Sequence, residues 1–402
     1  MTYATISRDA RSYRLTSIDM LRGLVIVIMA IDHVRDFFMV SNVQDPMAQP
    51  DVPPGLYLTR WVTHFCAPVF VFLAGTSAGL MAGRKSRHEL AAFLAKRGLW
   101  LVFVEVAIIS TAYTFSPFEG VPEVGGQTLL ALQVIWAIGA SMVVLAGAQY
   151  LGVRTCAVIG AAIVLGHNAF DAIWPRGDLL AGNDPLWYGL ETQSSASVGP
   201  FLLVFAYPLV PWIGVMLLGY GTAGIFKRAP KERDALLIKA GLAMIIGFFL
   251  LRASNLYGDP NLWQVQETGV LATIFDFMNV TKYPPSLLFL LITLGPMALL
   301  CAHADRMRGW LKDTLVMFGR VPFAFYIAHW YLIRLGSLAL ATFQGYEPEQ
   351  MMTFFFFFPA DYGVSLPWIY LVWLLVLAIL YPFCKWFAEL KTRRNDWWLS
   401  YL

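Results

Sequence analysis

The residues best suited to chemistry lie in one apolar stretch near the start of the chain. Between positions 19 and 36 this stretch carries the ionisable side chains Asp19, Arg22, Asp32, His33, Arg35 and Asp36. On a helix, Arg22 and His33 point to within about 20° of the same direction and lie roughly 16 Å apart. A cation at one end and an imidazole among carboxylates at the other suit an anionic molecule that lies along the helix and reacts at the histidine.

Three further histidines extend this pattern. His64, His167 and His329, like His33, fall in the outer halves of the apolar stretches that contain them, so four imidazoles could line one outward-facing cavity. For each of the three taken singly, a hydrogen bond to a neighbouring helix explains the residue equally well. Glu105 lies in the middle of another apolar stretch, where it is either a proton carrier or one partner of a buried ion pair.

The composition indicates which elements must position these side chains. The 402 residues are 58% apolar and 14% charged, with a mean hydropathy of +0.60. A soluble chain carries roughly 25% charged residues, so we expect an integral membrane protein. The net charge of +3 provides no basic footprint for nucleic acid. The four cysteines are isolated in the sequence, which argues against both a disulfide framework and a metal site.

Apolar runs of about 20 residues form helices in hydrocarbon, because the backbone must satisfy its own hydrogen bonds there. We therefore predict an all-α, polytopic membrane bundle of about ten transmembrane helices, forming a single domain over residues 1–402. The predicted spans are 18–40, 58–82, 93–115, 128–151, 156–174, 200–226, 235–251, 283–302, 315–342 and 366–387. The Phe-rich run 351–359 is too short to span and is expected to be interfacial or re-entrant.

Lysine and arginine predict the orientation of these spans. Every second loop is basic, whereas loops 41–57 and 116–127 contain neither residue. This alternation requires an even number of spans with both termini in the cytoplasm, including the leader 1–16 and the tail 388–402.

No cleavable signal peptide is apparent, and a bacterial inner membrane is the expected location. The sequence leaves open whether the chain forms a homo-oligomer.

Several motifs resemble one family of transmembrane acyltransferases. They are Ser17-Ile-Asp-Met-Leu-Arg-Gly-Leu with Asp32-His-Val-Arg-Asp-Phe-Phe, Ala67-Pro-Val-Phe-Val-Phe-Leu-Ala-Gly-Thr-Ser, Val210-Pro-Trp-Ile-Gly-Val-Met-Leu-Leu-Gly-Tyr-Gly, Asn279-Val-Thr-Lys-Tyr-Pro-Pro-Ser-Leu-Leu-Phe and Gly319-Arg-Val-Pro-Phe-Ala-Phe-Tyr-Ile-Ala-His-Trp-Tyr. Together they resemble the bacterial branch of the heparan-α-glucosaminide N-acetyltransferase catalytic-domain family. The resemblance extends from the first predicted span to the ninth.

The resemblance implies an enzyme that takes an acyl group, typically acetyl from cytoplasmic acetyl-CoA, and delivers it across the membrane to a sugar hydroxyl or amine. It implies a histidine near the outer end of an early span and basic residues that hold the coenzyme on the inner side. His33 and Arg22 occupy the matching places. The animal enzyme is thought to use a histidine between its first two catalytic-domain spans, and residues 41–57 contain none here.

The sequence therefore yields a ranked set of site residues. His33 is the first candidate for the general base or acyl carrier, followed by His64 and His329, with Asp32 or Asp36 holding the imidazole tautomer. The coenzyme phosphates are expected to contact basic residues near the cytoplasmic face: Arg22, Arg320, Arg84, Lys85 and Arg97. The expected partners are acyl-CoA, a glycan or amino-sugar acceptor and the lipid bilayer, and no metal is expected.

Two other functions fit some of the same residues. A proton-coupled transporter of a sugar or small acid also needs buried His, Asp and Glu in kinked helices, although the sequence contains no inverted repeat. Such a transporter would move substrate without consuming acyl-CoA. A bis-histidine haem protein would use imidazoles on different helices as iron ligands, and a Soret band would reveal it.

Overall fold

A computed structural model describes residues 3–40, 47, 52–115, 120–394 and 396–400 of a mainly helical chain. The first helices are α1 (Tyr3–Phe38), α2 (Pro54–Thr63), α3 (Cys66–Met81), α4 (Arg87–Phe103), α5 (Ser110–Thr114), α6 (Val134–Ala148), α7 (Val153–Gly166) and α8 (Leu209–Thr222). They are followed by α9 (Pro230–Ser254), α10 (Val270–Met278), α11 (Leu287–His303), α12 (Trp310–Arg320), α13 (Pro322–Phe343), α14 (Pro348–Met351) and α15 (Leu366–Arg393). Short 3-10 turns extend or connect several of these helices.

Seven helical segments among the described residues are long and apolar enough to cross a membrane. They are Pro54–Met81, Val134–Leu151, Val153–Phe170, Leu209–Lys227, Pro230–Ser254, Pro322–Phe343 and Leu366–Arg393. Each coincides with one of the ten predicted spans. The polytopic helical prediction is thus confirmed, while a total of ten spans remains a prediction.

The other three predicted spans are also helical but fall short for visible reasons. The 36-residue helix α1 carries the polar residues described above, and α11 is apolar but has only 17 residues. Helix α4 is followed by a π-helical segment, Val104–Ile109, before α5 continues it. From residue 3 onward, the predicted leader is part of α1. Most of the predicted outer loop 41–57, namely 41–46 and 48–51, lies outside the described residues.

The all-α prediction is wrong in one respect, because the fold contains a small sheet. Strands β1 (Thr128–Leu132), β2 (Ser194–Val198) and β3 (Phe201–Phe205) are arranged in the order β1-β3-β2. Strand β3 runs parallel to β1 and antiparallel to β2. Residues 128–132 and 201–205 were expected to begin two transmembrane helices. They pair with each other instead. The sequence could not reveal this, because a short apolar run has no periodicity that separates strand from helix.

The predicted ninth span, 315–342, is also divided. Helix α12 ends at Arg320 and α13 begins at Pro322, with Val321 in a non-helical conformation between them. Proline is favoured at the first position of a helix, because it has no amide hydrogen to donate and its ring disfavours helical geometry in the residue before it. The division places Arg320 at the end of one helix and His329 on the next.

Helices α1 and α12 pack with their backbones in close contact. A Cβ atom at Gly23 would lie 1.7 Å from the Leu315 carbonyl oxygen, and one at Gly319 would lie 1.7 Å from the Asp19 carbonyl oxygen. Only glycine fits at two such positions, because any side chain would force the backbones apart. The contact brings Arg22 and Arg320, the neighbours of these glycines, to the same end of the bundle.

Candidate active site

Helix α1 presents one continuous stripe to two cavities. The stripe consists of Arg22, Ile26, Met29, His33 and Asp36, whose spacing of four and three residues keeps them on one face. Asp36 and His33 line a cavity of about 330 Å³, which we call the His33 cavity. Arg22 and Ile26 line a cavity of about 480 Å³, the Arg22 cavity. Met29 lines both.

The His33 cavity is strongly polar at the end of α1. The Asp32 carboxylate lies 2.5 Å from Arg60 Nη1 and 3.0 Å from Arg35 Nη1, while Lys282 Nζ is 4.0 Å away. Arg35 also donates to the Asp36 carboxylate at 2.6 Å. Among the described residues that line this cavity, three cations thus face two carboxylates. The excess positive charge makes this cavity suited to a polar or anionic molecule.

His33 faces this network without being bound to it. Its Nδ1 atom lies 4.0 Å from Asp36 Oδ2 and has no hydrogen-bond partner among the described residues. The His33 ring packs instead against Trp330 and His329, with ring centroids 4.2 and 5.2 Å away. The 4.0 Å separation is too long for a hydrogen bond from Asp36 to Nδ1, and the predicted role of Asp32 or Asp36 in holding the imidazole remains a prediction. His33 thus lines the cavity with a buried Nδ1 atom that forms no hydrogen bond to a described residue.

The other candidate histidines differ in their access to the cavity. His64 lines the His33 cavity, and its Nδ1 donates to the Arg60 carbonyl at 2.9 Å, which leaves Nε2 as an acceptor. His329 is fully buried behind His33, and its Nδ1 donates to the Tyr326 carbonyl at 2.5 Å. His167 lies elsewhere, 3.1 Å from Glu191. The structure thus brings three of the four histidines together, of which two line the cavity.

The loop between α9 and α11 supplies part of the cavity wall. Asn261, Asn279 and Lys282 of this loop line the His33 cavity. Arg252 organises the loop by donating to four main-chain carbonyls, those of Asn261, Asp276, Phe277 and Asn279. Neither Lys282 nor Arg60 is among the site residues that the sequence predicted. Their basic character was the only signal, and it did not reveal that both lie near Asp32.

The Arg22 cavity is basic at the opposite end of the α1 stripe. Arg22, Arg97, Arg320 and Lys391 line it together with a single acidic residue, Asp19. Arg22 donates to Asp19 at 3.3 Å and also to the Ser77 hydroxyl. The Arg97 guanidinium lies over the ring of Phe323, 5.2 Å from its centroid. Three of the five predicted coenzyme-binding residues therefore meet in one cavity, and Lys391 of the predicted tail is an addition.

The other two predicted coenzyme-binding residues lie outside the cavity. Arg84 and Lys85 are exposed in the turn between α3 and α4, and neither lines the Arg22 cavity. Lys85 instead places its ammonium group 5.8 Å from the centre of the Phe93 ring. Because Phe93 does line the cavity, these two residues lie near its edge. Their predicted contact with phosphate remains a prediction.

Glu105 forms a hydrogen bond to the main chain and no ion pair among the described residues, while its predicted role as a proton carrier remains a prediction. It is fully buried on the π-helical segment, and its Oε2 accepts a hydrogen bond from the Trp136 amide at 2.8 Å. No ion pair involving Glu105 occurs among the residues that the structure describes. The carboxylate satisfies an amide at the N-terminus of α6, where helices leave donors unpaired.

Within the described ranges, no group of three or more His, Cys, Asp and Glu side chains is arranged to hold a metal ion.

Comparison with known families gives one match. The profile described as heparan-alpha-glucosaminide N-acetyltransferase, catalytic, matches residues 14–256. The matched region contains the whole α1 stripe, α3, α4 and α6, and it ends two residues after the last residue of α9. No curated protein matches the chain.

Proposed function

Because this chain belongs to the heparan-α-glucosaminide N-acetyltransferase catalytic-domain family, we propose that it transfers an acetyl group from acetyl-CoA to a sugar hydroxyl or amine across a membrane. Family membership implies acetyltransferase activity in general. The observation that supports the donor and its direction is the α1 stripe, which extends from a basic cavity to a cavity that His33 lines.

The coenzyme is assigned to the Arg22 cavity. Its phosphates are paired with Arg22, Arg97, Arg320 and Lys391, because clustered guanidinium and ammonium groups stabilise phosphate by charge-assisted hydrogen bonds. The pantetheine arm then follows the stripe past Ile26 and Met29 towards His33. The distance of roughly 16 Å along the helix axis is within reach of that arm when it is extended.

His33 is assigned the proton transfer. Its free nitrogen accepts the proton of the acceptor hydroxyl or amine while the acceptor oxygen or nitrogen attacks the thioester carbonyl carbon. The new C–O or C–N bond forms, the C–S bond breaks, and the imidazolium returns the proton to the thiolate of coenzyme A. In a two-step variant His33 first carries the acetyl group itself. His64 and His329 are the next candidates, and Asp36 is assigned to orient His33 once a substrate is bound.

The two cavities are assigned to opposite sides of the membrane. The Arg22 cavity faces the cytoplasm and the His33 cavity faces outward, in agreement with the alternation of basic loops. Both termini are then cytoplasmic, with about ten spans in a bacterial inner membrane. The excess positive charge in the His33 cavity favours a polar acceptor that carries at least one negative group.

Thiol release from acetyl-CoA tests this function directly. The purified protein in lipid nanodiscs is supplied with acetyl-CoA and a panel of amino sugars and glycans, next to the variants His33→Ala and His88→Ala. We expect acceptor-dependent release that falls about 100-fold or more in His33→Ala, since general base catalysis contributes 10²–10⁴-fold. His88 is exposed on α4 and lines neither cavity, so His88→Ala serves as the matched control.

The other outcomes are distinct. Release that survives in His33→Ala moves the chemistry to His64 or His329. A protein that neither releases thiol nor binds coenzyme A, but carries a sugar or small acid into proteoliposomes along a proton gradient, is a transporter and contradicts the proposal.

A further inference from the structure

The two cavities meet at three apolar residues on three different helices. Among the residues that the structure describes, only Met29 of α1, Phe70 of α3 and Val134 of α6 line both the His33 cavity and the Arg22 cavity. We call these three residues the junction. A group that moved from one cavity to the other along the α1 stripe would therefore contact these side chains.

On the α1 stripe, the junction lies next to His33, between that residue and Arg22. Met29 precedes His33 by four residues, which corresponds to about 6 Å along the helix axis. A thioester held at the junction would therefore place its carbonyl carbon beside His33. With the coenzyme phosphates at Arg22, the acyl group is the leading end and enters the junction first.

The positions of the junction residues are held by neighbouring contacts. Val134 is the first residue of α6, whose N-terminal amides are bound by the buried Glu105 carboxylate. Helix α3 packs tightly on α8, where a Cβ atom at Gly75 would lie 2.1 Å from the Met216 carbonyl oxygen. Because the backbone at these points is fixed, the size of the three side chains determines the width of the opening.

Resting on the proposed acetyl transfer, we propose that the junction selects the acyl group by its width. A straight acyl chain is no wider than the unbranched β-alanyl and cysteamine units of the arm directly behind it, so it passes wherever these units pass. A branched or aromatic acyl group is wider than these units and meets the Phe70 ring. Apolar side chains also provide no partner for charge, which keeps the coenzyme phosphates in the Arg22 cavity.

The test is a donor profile. Thiol release is measured with acetyl-, butyryl-, isobutyryl- and benzoyl-CoA for the wild type, Phe70→Leu, Phe70→Ala and Phe72→Ala. Phe72 is the matched control, because it is a half-buried phenylalanine of the same helix that lines neither cavity. The wild type is expected to use the two straight donors and to discriminate against the other two.

In Phe70→Ala we expect the ratio of isobutyryl or benzoyl to acetyl turnover to rise about tenfold or more, because one carbon in an apolar pocket changes discrimination by roughly 10–200-fold. Phe70→Leu is expected to give a smaller rise in the same direction, and Phe72→Ala none. The opposite change, Val134→Phe, should reduce acetyl turnover while coenzyme A binding is retained.

The donor profile shows which of the two proposals a negative result contradicts. Acetyl turnover with a donor profile that is the same in wild type, Phe70→Ala and Phe72→Ala overturns the width filter and leaves the acetyltransferase intact. A wild type that uses benzoyl-CoA as well as acetyl-CoA overturns it too. Absence of turnover with every donor overturns the proposed function, and the filter with it.

Discussion

The negative charge of Asp32 compensates cationic side chains that line the His33 cavity. It lies within 4.0 Å of three cationic groups, those of Arg35, Arg60 and Lys282, and all are largely buried. Removing one partner of a buried charge cluster leaves the others without compensation, which typically costs about 3–5 kcal/mol. Asp32 is therefore as much a structural residue as a candidate for catalysis.

We predict that Asp32→Asn lowers thermal stability substantially, by several degrees in a melting curve recorded in detergent. The control is Glu389→Gln, which breaks the pair between Glu389 and Arg393 at 3.3 Å on the exposed end of α15. Exposed pairs contribute only about 0–1 kcal/mol, so the control should melt close to the wild type. Equal melting temperatures for the two variants would contradict the compensating role of Asp32.

Glu105 offers a test that separates structure from proton transfer. Glu105→Gln keeps an oxygen for the Trp136 amide and should melt near the wild type with activity retained. Glu105→Ala removes that acceptor and should lose about 0.5–2 kcal/mol of stability, the usual cost of losing a helix cap. If Glu105→Gln instead folds normally but abolishes turnover, the carboxylate is a proton carrier.

At this scale the sequence predicted which side chains share a face of α1 but not their contacts with other elements. The stripe of Arg22 and His33 followed from helix geometry, because both residues lie on one element. The contact of Asp32 with Arg60 and Lys282 did not, because these residues come from α2 and from a loop. The spacing within one helix contains no information about which distant segment packs against it.

The contact between α1 and α12 couples the packing of two helices to the Arg22 cavity. Gly23 and Gly319 lie at the contact. Arg22, which precedes Gly23, and Arg320, which follows Gly319, both line the cavity. Separation of the helices would therefore move two of the four cationic groups that are assigned to the coenzyme.

We predict that Gly319→Ala weakens coenzyme A binding and lowers the melting temperature, because the new methyl group would lie 1.7 Å from the Asp19 carbonyl oxygen. The control is Gly147→Ala in α6, where a Cβ atom meets nothing within 4 Å. Alanine is favoured over glycine inside a helix by roughly 0.5–1 kcal/mol, so this control should be neutral or stabilising. Unchanged binding in Gly319→Ala, measured by calorimetry, would refute the coupling.

The elements themselves were predictable where they are long. Ten apolar runs gave ten helical regions, but the first residues of two runs became β1 and β3. Strand pairing depends on a partner about 70 residues away in the sequence, from Thr128 to Phe201. A local pattern cannot show that partner, and a short apolar run next to a longer one cannot be separated from the start of a helix by periodicity alone.

The topology of the whole molecule remains a prediction that labelling can test. All four native cysteines are buried, so new surface cysteines can be distinguished by their reactivity. Arg84, Glu267 and Thr392 are exposed and lie near the α3–α4 turn, in the α9–α10 loop and at the end of α15. With about ten spans and both termini on one side, positions 84 and 392 share a side and position 267 faces the other.

We therefore predict that an impermeant maleimide labels Arg84→Cys and Thr392→Cys only in inverted vesicles, and Glu267→Cys only in right-side-out vesicles. The unaltered protein reports background labelling of the buried thiols. Labelling of positions 84 and 392 from opposite sides would mean an odd number of crossings between them, and the even alternation of basic loops would then be wrong.

The junction of Met29, Phe70 and Val134 has an electrical consequence under the proposed reaction. Charged, polar cavities on either side confine most of the membrane voltage to this single apolar layer. A neutral acyl group crosses it without electrical work, whereas an elementary charge exchanges about 2.3 kcal/mol per 100 mV. The proton that leaves the acceptor at His33 and ends on the coenzyme thiol moves inward through that layer. That proton neutralises the thiolate left by the outgoing acyl group, so the net charge on each side of the layer is unchanged. Each turnover is thus electroneutral, and the membrane voltage does not drive the transfer.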